Sequence, residues 1–239
     1  MAKNNEESDK SNYLDILAAG LVHEIKNPLN AISVNLQLLN EDLQTNTSNV
    51  GQKMFNRVQL LQKEVFRLQD ILNDFIRFAK KQELQFEECD INEIIENVVD
   101  FVTPEALQNS IRILKNFDSH LPTCYLDCNV MKQALLNVIL NAQQAMTEGG
   151  ELMIRTFKNR KYICISISDT GYGISPDKID KIFQVYYSTK KTGTGLGLPT
   201  AKRIIENHNG TISVHSEEGK GSKFLIQIPL NPGAKNKIK

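Results

Sequence analysis

Apolar residues recur at Met54, Val58, Leu61, Val65, Leu68, Leu72, Phe75 and Ala79, at intervals of four and three. That seven-residue period, held for over three repeats, predicts a long helix with one apolar seam. A looser pattern precedes it: Leu14, Leu17, Leu21 and Ile25, then Ile32, Leu36, Leu39 and Leu43. Between the two, QTNTSNVG is polar and short, as a helix–helix connection should be. The pattern therefore predicts a helical hairpin over residues 12–82, after a polar, flexible N-terminal tail at 1–11. A hairpin with a single seam has too little core to stand alone, so two copies pairing into a four-helix bundle is the expected solution.

The pattern changes near KKQELQFEECD, which reads as a linker at 83–90. Beyond it, INEIIENVVDFVTPEAL and NVMKQALLNVILNAQQAM have helical periodicity, with short strands IRILKNF and CYLD between them. ELMIRTF and YICISISD alternate as strands, bounded by EGG and KNRK. A glycine-rich, strand-poor stretch covers about 170–197, the helix LPTAKRIIENH follows, and GTISVHSE and SKFLIQIPL form a last hairpin around EGKG. Interleaved helices and antiparallel hairpins predict an α/β sandwich over 91–231, with a mixed sheet and helices on one face. A flexible tail is expected at 232–239.

Composition narrows the choice of function. Lys plus Arg equals Asp plus Glu at 28 each, so the chain lacks the basic surplus of a nucleic-acid footprint. At 41% hydrophobic and 23% charged residues it can build a packed core. With no run of about 18 apolar residues and no signal peptide, this chain is not expected to enter a membrane by itself. Anchorage of a longer protein is left open. Cysteines at 89, 124, 128 and 164 show no paired metal spacing and read as buried free thiols of a reducing, cytoplasmic compartment.

Four stretches carry candidate chemistry. In LVHEIKNPLNAI, His23 lies about 200° around the helix from both Leu21 and Ile25, away from the apolar stripe. Asn27 stands four residues on, above the imidazole, with Glu24 beside it. Pro28 removes a backbone hydrogen bond and predicts a kink one turn later, at a cost of about 3 kcal/mol. Asn137 and Asn141 share one face of an otherwise apolar helix, where asparagine is a poor helix former. Their amides either offer oxygens to a hard cation or form a hydrogen-bonded pair.

In SDTGYGI, Asp169 ends an apolar strand, where it can accept a hydrogen bond from an exocyclic amine. Gly171 and Gly173 either let backbone approach a flat base or make a simple turn. In GTGLGLPTAKRII, Gly193, Gly195 and Gly197 alternate with Thr194 and Leu196 and open a helix, which can cradle phosphate. This is neither the dinucleotide fingerprint nor a P-loop. The preceding IFQVYYSTKKT suits a lid, with Lys190 and Lys191 near phosphate charge.

Taken in this order, the stretches resemble sensor histidine kinases of two-component systems, over about residues 12–230. HEIKNP is similar to their phosphoacceptor box and NVILNAQQA to their asparagine box. DTGYG, IFQVYYSTK and GTGLGL are similar to the first glycine, phenylalanine and second glycine boxes. The resemblance implies that His23 takes phosphate from ATP, with Glu24 as base, and passes it to an aspartate of a response-regulator receiver domain. It implies a water-positioning role for Asn27 in a phosphatase reaction. Asn141, with Asn137 nearby, would hold Mg²⁺, and Asp169 would read adenine in a pocket shaped by Gly171 and Gly173. Gly193, Thr194, Gly195, Leu196, Gly197 and Lys190 would surround the phosphates, and Phe183 would seat the lid.

Gln144 stands where many members carry lysine; a neutral amide there also occurs in the nitrogen-regulation kinases, the subgroup this chain resembles, and Val185 and Tyr186 depart from the usual F-x-P-F. Two other readings are an ATPase of the related chaperone, gyrase and mismatch-repair class, and a degenerate kinase acting as scaffold.

Overall fold

The computed structural model describes residues 2–44, 50–79, 83–190 and 193–230, with side chains left out at 2–19, 23, 43–44, 50, 70, 74 and 77–79. It divides into two compact units, one of residues 1–80 and 185–196 and one of 81–184 and 197–239. Among the described residues no helix is long and apolar enough to cross a membrane.

In the first unit, α1 (Ala2–Gln44) and α2 (Val50–Ala79) pack as a hairpin. The backbone of 2–11, expected as a flexible tail, is part of α1, and no proline or glycine interrupts the chain before Gly20. Helix α1 also continues through Pro28, whose ring is buried. Near the connection, Arg57 Nε donates to Asp42 Oδ2 at 2.6 Å.

The predicted single seam divides in two. Met54, Leu61, Leu68 and Phe75 are half-buried on α2, as are Leu21, Ile25, Ile32 and Leu39 on α1, and Ile71 is fully buried. The alternate heptad positions remain exposed: Val58, Val65 and Leu72 on α2, at 42–47%. A second stripe at the same period, Val22, Leu29 and Leu36, is exposed on α1. In this hairpin the neighbouring helix shields the row that faces it and leaves the other row open to solvent, as expected of helices that have a further neighbour to meet. The side chains of Leu14, Leu17, Leu43 and Ala79, assigned to these seams, lie outside the described residues.

The second unit holds β1 (Glu87–Cys89), α3 (Ile91–Gln108), β2 (Ile111–Asn116), β3 (Cys124–Leu126) and α4 (Cys128–Ala145). After them come β4 (Gly150–Asn159), β5 (Tyr162–Asp169), α5 (Pro176–Ile179), α6 (Gly197–Asn207), β6 (Thr211–Glu217) and β7 (Gly221–Pro229). Five strands form one sheet in the order β2-β4-β5-β7-β6. Only the β2–β4 pair is parallel, so the sheet is mixed, as expected. Along β4, Leu152, Ile154 and Thr156 are buried while Met153, Arg155 and Phe157 are exposed, the alternation of a strand covered on one side. Helix α3 packs against β2, α4 against β5 and β7, and α6 against β6. Their apolar residues, among them Val98, Leu135, Ile139 and Ile205, are buried, as are Leu152, Ile165, Phe224 and Ile226 of the sheet.

Two local differences from expectation stand out. The segment 83–90, read as linker, contains β1, which pairs antiparallel with β3. The cysteines of this unit also correct the free-thiol reading: Cys89 and Cys128 are joined by a disulfide, while Cys124 and Cys164 are free and buried. Sequence spacing could not reveal this pair, because 39 residues and three elements separate partners that the fold brings to Cα atoms 6.1 Å apart.

Candidate functional site

Helix α4 is positioned from its first residue. Asp127 is its N-cap, with Oδ1 accepting from the Val130 N–H at 3.0 Å. Val138, Ile139 and Ala142 are buried, which fixes the helix rotation and leaves Asn137 and Asn141 half-buried on one face. Gln144 is exposed in the last turn. Helix α6 opens beside this face: a Cβ placed on Gly197 would lie 3.9 Å from the Asn137 side chain. The amide oxygens are hard donors at helical spacing, and the missing side chain at Gly197 leaves space next to them, so the residues fit a Mg²⁺ site.

Asp169 ends β5 and is buried. Its Oδ1 accepts from the N–H groups of Gly171, at 2.9 Å, and Ser222, at 3.2 Å. These two N–H groups, one in the turn after β5 and one on β7, orient the carboxylate, and Ser222 had no sequence signal. Gly171 runs against the end of α4, where the Tyr172 N–H bonds the Ala145 carbonyl at 3.1 Å and any Cβ on Gly171 would collide with that oxygen. Gly173 adopts φ 69°, and a Cβ there would collide with the Glu217 carbonyl. Both glycines are therefore required by close backbone approach. Phe183 is half-buried, with the Lys202 ammonium of α6 5.5 Å from its ring centroid.

The remaining candidates lie in the other unit. Tyr186, at φ 61°, donates its N–H to the Gly195 carbonyl at 3.1 Å, closing the segment on itself. Gly195 takes φ 65° against the Tyr186 backbone. Leu196 is buried with Phe75, Val185 and Tyr186, a packing role that its place among glycines did not suggest. Thr194 and Lys190 are half-buried, and the Lys190 N–H donates to Ser188 Oγ at 3.1 Å. Gly193 donates its N–H to the Lys190 carbonyl at 3.3 Å. Lys191 lies outside the described residues.

On α1, Asn27 is exposed and Glu24 half-buried. The His23 backbone is helical and its side chain, expected to face outward, lies outside the described residues. Sequence reasoning also passed over Gly20, whose missing side chain admits the Tyr186 ring.

Known families match both parts. Residues 13–84 match the His Kinase A (phospho-acceptor) domain, and residues 127–232 match the histidine kinase-, DNA gyrase B- and HSP90-like ATPase family. The catalytic domain of histidine kinase ThkA is 30% identical; the match covers 62% of this chain and 97% of that one, at a TM-score of 0.58. The chain belongs to the histidine kinase family.

A crystal structure of ThkA in complex with the response regulator protein TrrA matches 98% of this kinase chain and 68% of that chain, at 26% identity and a TM-score of 0.78. Sporulation kinase C of Bacillus subtilis (strain 168) is 35% identical over 94% of this chain and 51% of its own length. The chain spans about a third to a half of the curated relatives it matches, with 30% of sporulation kinase E at the low end. The histidine kinase family accounts for the order of the sequence boxes, from HEIKNP in the phospho-acceptor match to GTGLGL in the ATPase match.

Proposed function

We propose that this protein phosphorylates itself on His23 from ATP and passes the phosphoryl group to an aspartate of a response-regulator receiver domain. The observation that carries the reading is one chain with a phospho-acceptor match at 13–84, holding HEIKNP, followed by an ATPase match at 127–232. On this reading residues 12–82 dimerise and carry the acceptor, 83–90 link, and 91–231 bind ATP, in the cytoplasm. The exposed heptad stripes Val22, Leu29, Leu36 and Val58, Val65, Leu72 favour a homodimer joined through two hairpins.

Imidazole is a fair nucleophile when neutral, and Glu24 accepts the proton of one ring nitrogen while the other attacks the γ-phosphorus. The bond from phosphorus to the ADP oxygen breaks as the bond to nitrogen forms. Phosphoryl transfer needs placement and charge neutralisation more than covalent help. Bound Mg²⁺ supplies charge at the phosphates, and Asn141 with Asn137 would hold it. Asp169, oriented by Gly171 and Ser222, accepts the adenine amine. Gly193, Gly195 and Gly197, with Thr194, Leu196 and Lys190, close over the phosphates, and Phe183 seats that segment. Gln144 offers an uncharged amide there. In the reverse sense, Asn27 positions water for hydrolysis of the phosphorylated partner.

Incubation with γ-labelled ATP and Mg²⁺ tests the reading. Acid-labile, base-stable label is expected on the wild type and absent from His23→Gln. ATP turnover without protein label would favour an ATPase of the gyrase and HSP90 class instead.

A further inference from the structure

The chain leaves α2 at Ala79 and enters β1 at Glu87, so the segment before and within β1 leads into the ATP-binding unit. That segment is tied to the foot of α4 and the end of α6. The Gln85 N–H donates to Asp127 Oδ2 at 2.9 Å. The Phe86 ring packs on His208, 5.2 Å between centroids, and stacks on Tyr125 at 5.9 Å. His208 in turn accepts from the Asp127 N–H at 3.0 Å. Cys89 closes β1 and Cys128 opens α4, the helix that carries Asn137 and Asn141.

We propose that Cys89 and Cys128 form a reversible dithiol–disulfide couple that clamps the incoming segment to α4 and, when closed, slows the kinase. The effect on activity rests on the histidine kinase reading above; the couple itself does not.

Three observations carry it. The Cα separation of 6.1 Å lies in the range a disulfide spans without backbone movement. On reduction the Cys128 sulfur must turn away, and the Cys89 thiol left in place has acceptors at hand in the Leu126 carbonyl, 3.5 Å from its Sγ, and the Glu87 carbonyl, 3.6 Å away. The pairing is also selective. Cys124 lies across the β1–β3 ladder from Cys89, but burial, and then the nearby Asp90 charge, push its thiol up to about 12. Its sulfur also faces the Cys89 carbonyl, at 3.8 Å, while the Cys89 sulfur meets that of Cys128, so geometry leaves Cys128 as the partner. Cys128 is half-buried while Cys89 is buried, so a small reagent meets Cys128 first.

The chemistry is thiol–disulfide exchange with a small-molecule disulfide. The Cys128 thiolate attacks one sulfur of the reagent and expels one thiolate. The Cys89 thiolate then attacks Cys128 Sγ and expels the second. Two electrons pass to the reagent, and the two cysteine protons end on its two thiols. Excess small thiol reverses the sequence.

The test takes the full chain, fully reduced, into oxidised glutathione, with alkylation under denaturing conditions and peptide mass mapping. A Cys89–Cys128 linked peptide is expected, abolished by Cys128→Ser and kept by Cys124→Ser. The closed form should melt higher by about 5–15 °C, from its loop length. ADP affinity should hold within about twofold, because the clamp lies at the foot of α4, away from Asp169 and the glycine turns. Autophosphorylation should fall several-fold and recover with dithiothreitol, and Cys128→Ser should not respond. A failed kinase reading would appear as no His23 label in either state, with the linked peptide still formed. All four cysteines alkylated after oxidation would overturn the couple, as would one mole of Zn²⁺ held by Glu87, Cys89 and Cys128 that blocks closure. Equal labelling rates in the open and closed forms would overturn the clamp.

Discussion

His208 offers the sharpest test of the packing. It is fully buried at the end of α6. Nδ1 lies 2.7 Å from the Ile204 carbonyl, which can only accept, and Nε2 lies 3.0 Å from the Asp127 N–H, which can only donate. The two partners assign the neutral ring with its proton on Nδ1. A second proton would set Nε2–H against N–H. Burial accordingly holds the ring below its ordinary 6.5, against the opposing pull of the Ile204 hydrogen bond and the Asp127 charge.

The sign follows from linkage. Above pH 6.5 the folded and unfolded rings are both neutral and the stability is complete. Below it the unfolded chain gains a proton that the folded chain refuses, so stability is lost as pH falls towards the depressed folded value. One proton gives a slope of at most about 1.4 kcal/mol per pH unit, so going from about pH 7.5 to 5.5 removes up to about 1.4 kcal/mol. In a chain of this size that lowers Tm by about 3–5 °C. The chain has no tryptophan, so urea unfolding is followed by far-ultraviolet circular dichroism across the pH range. His208→Gln should lose stability at pH 7.5 but lack this part of the slope below 6.5. Parallel pH profiles for the two proteins would refute the argument.

Three further outcomes are expected. Gly173→Ala must hold an L side chain at φ 69° with its Cβ against the Glu217 carbonyl; the conformation alone costs about 1–2 kcal/mol, and calorimetry should show ADP binding weakened at least tenfold. Asp169→Asn keeps the oxygen that accepts from Gly171 and Ser222 but loses the charge, so thermal stability should change little while ADP affinity falls by about tenfold or more. Val65→Glu puts charge on an exposed stripe that the hairpin does not use, and light scattering should report a monomer of unchanged helicity; a dimer of wild-type affinity would place the second copy elsewhere.

Much of this protein can be read from local pattern. Element type follows from the period of apolar residues, because a helix or strand must present one face to a core. Hence α2, α4 and the β4–β5 and β6–β7 hairpins stand where alternation placed them. Gly171, Gly173 and Asp169 were legible for a similar reason, since turn glycines and a carboxylate closing an apolar strand are unusual enough to notice.

What depended on long-range approach was not legible. The division of one heptad seam into a covered and an exposed row depends on which neighbour is present. The pairing of Cys89 with Cys128, the His208–Asp127 contact and the Ser222 N–H on Asp169 each join residues 39 to 81 positions apart. Sequence by itself determined most of the helices, strands and turns, apart from β1 and the start of α1, and which segments match the family's two domains. Only the tertiary structure decided these partnerships, because bringing distant residues together depends on how whole elements pack, and no local spacing encodes that.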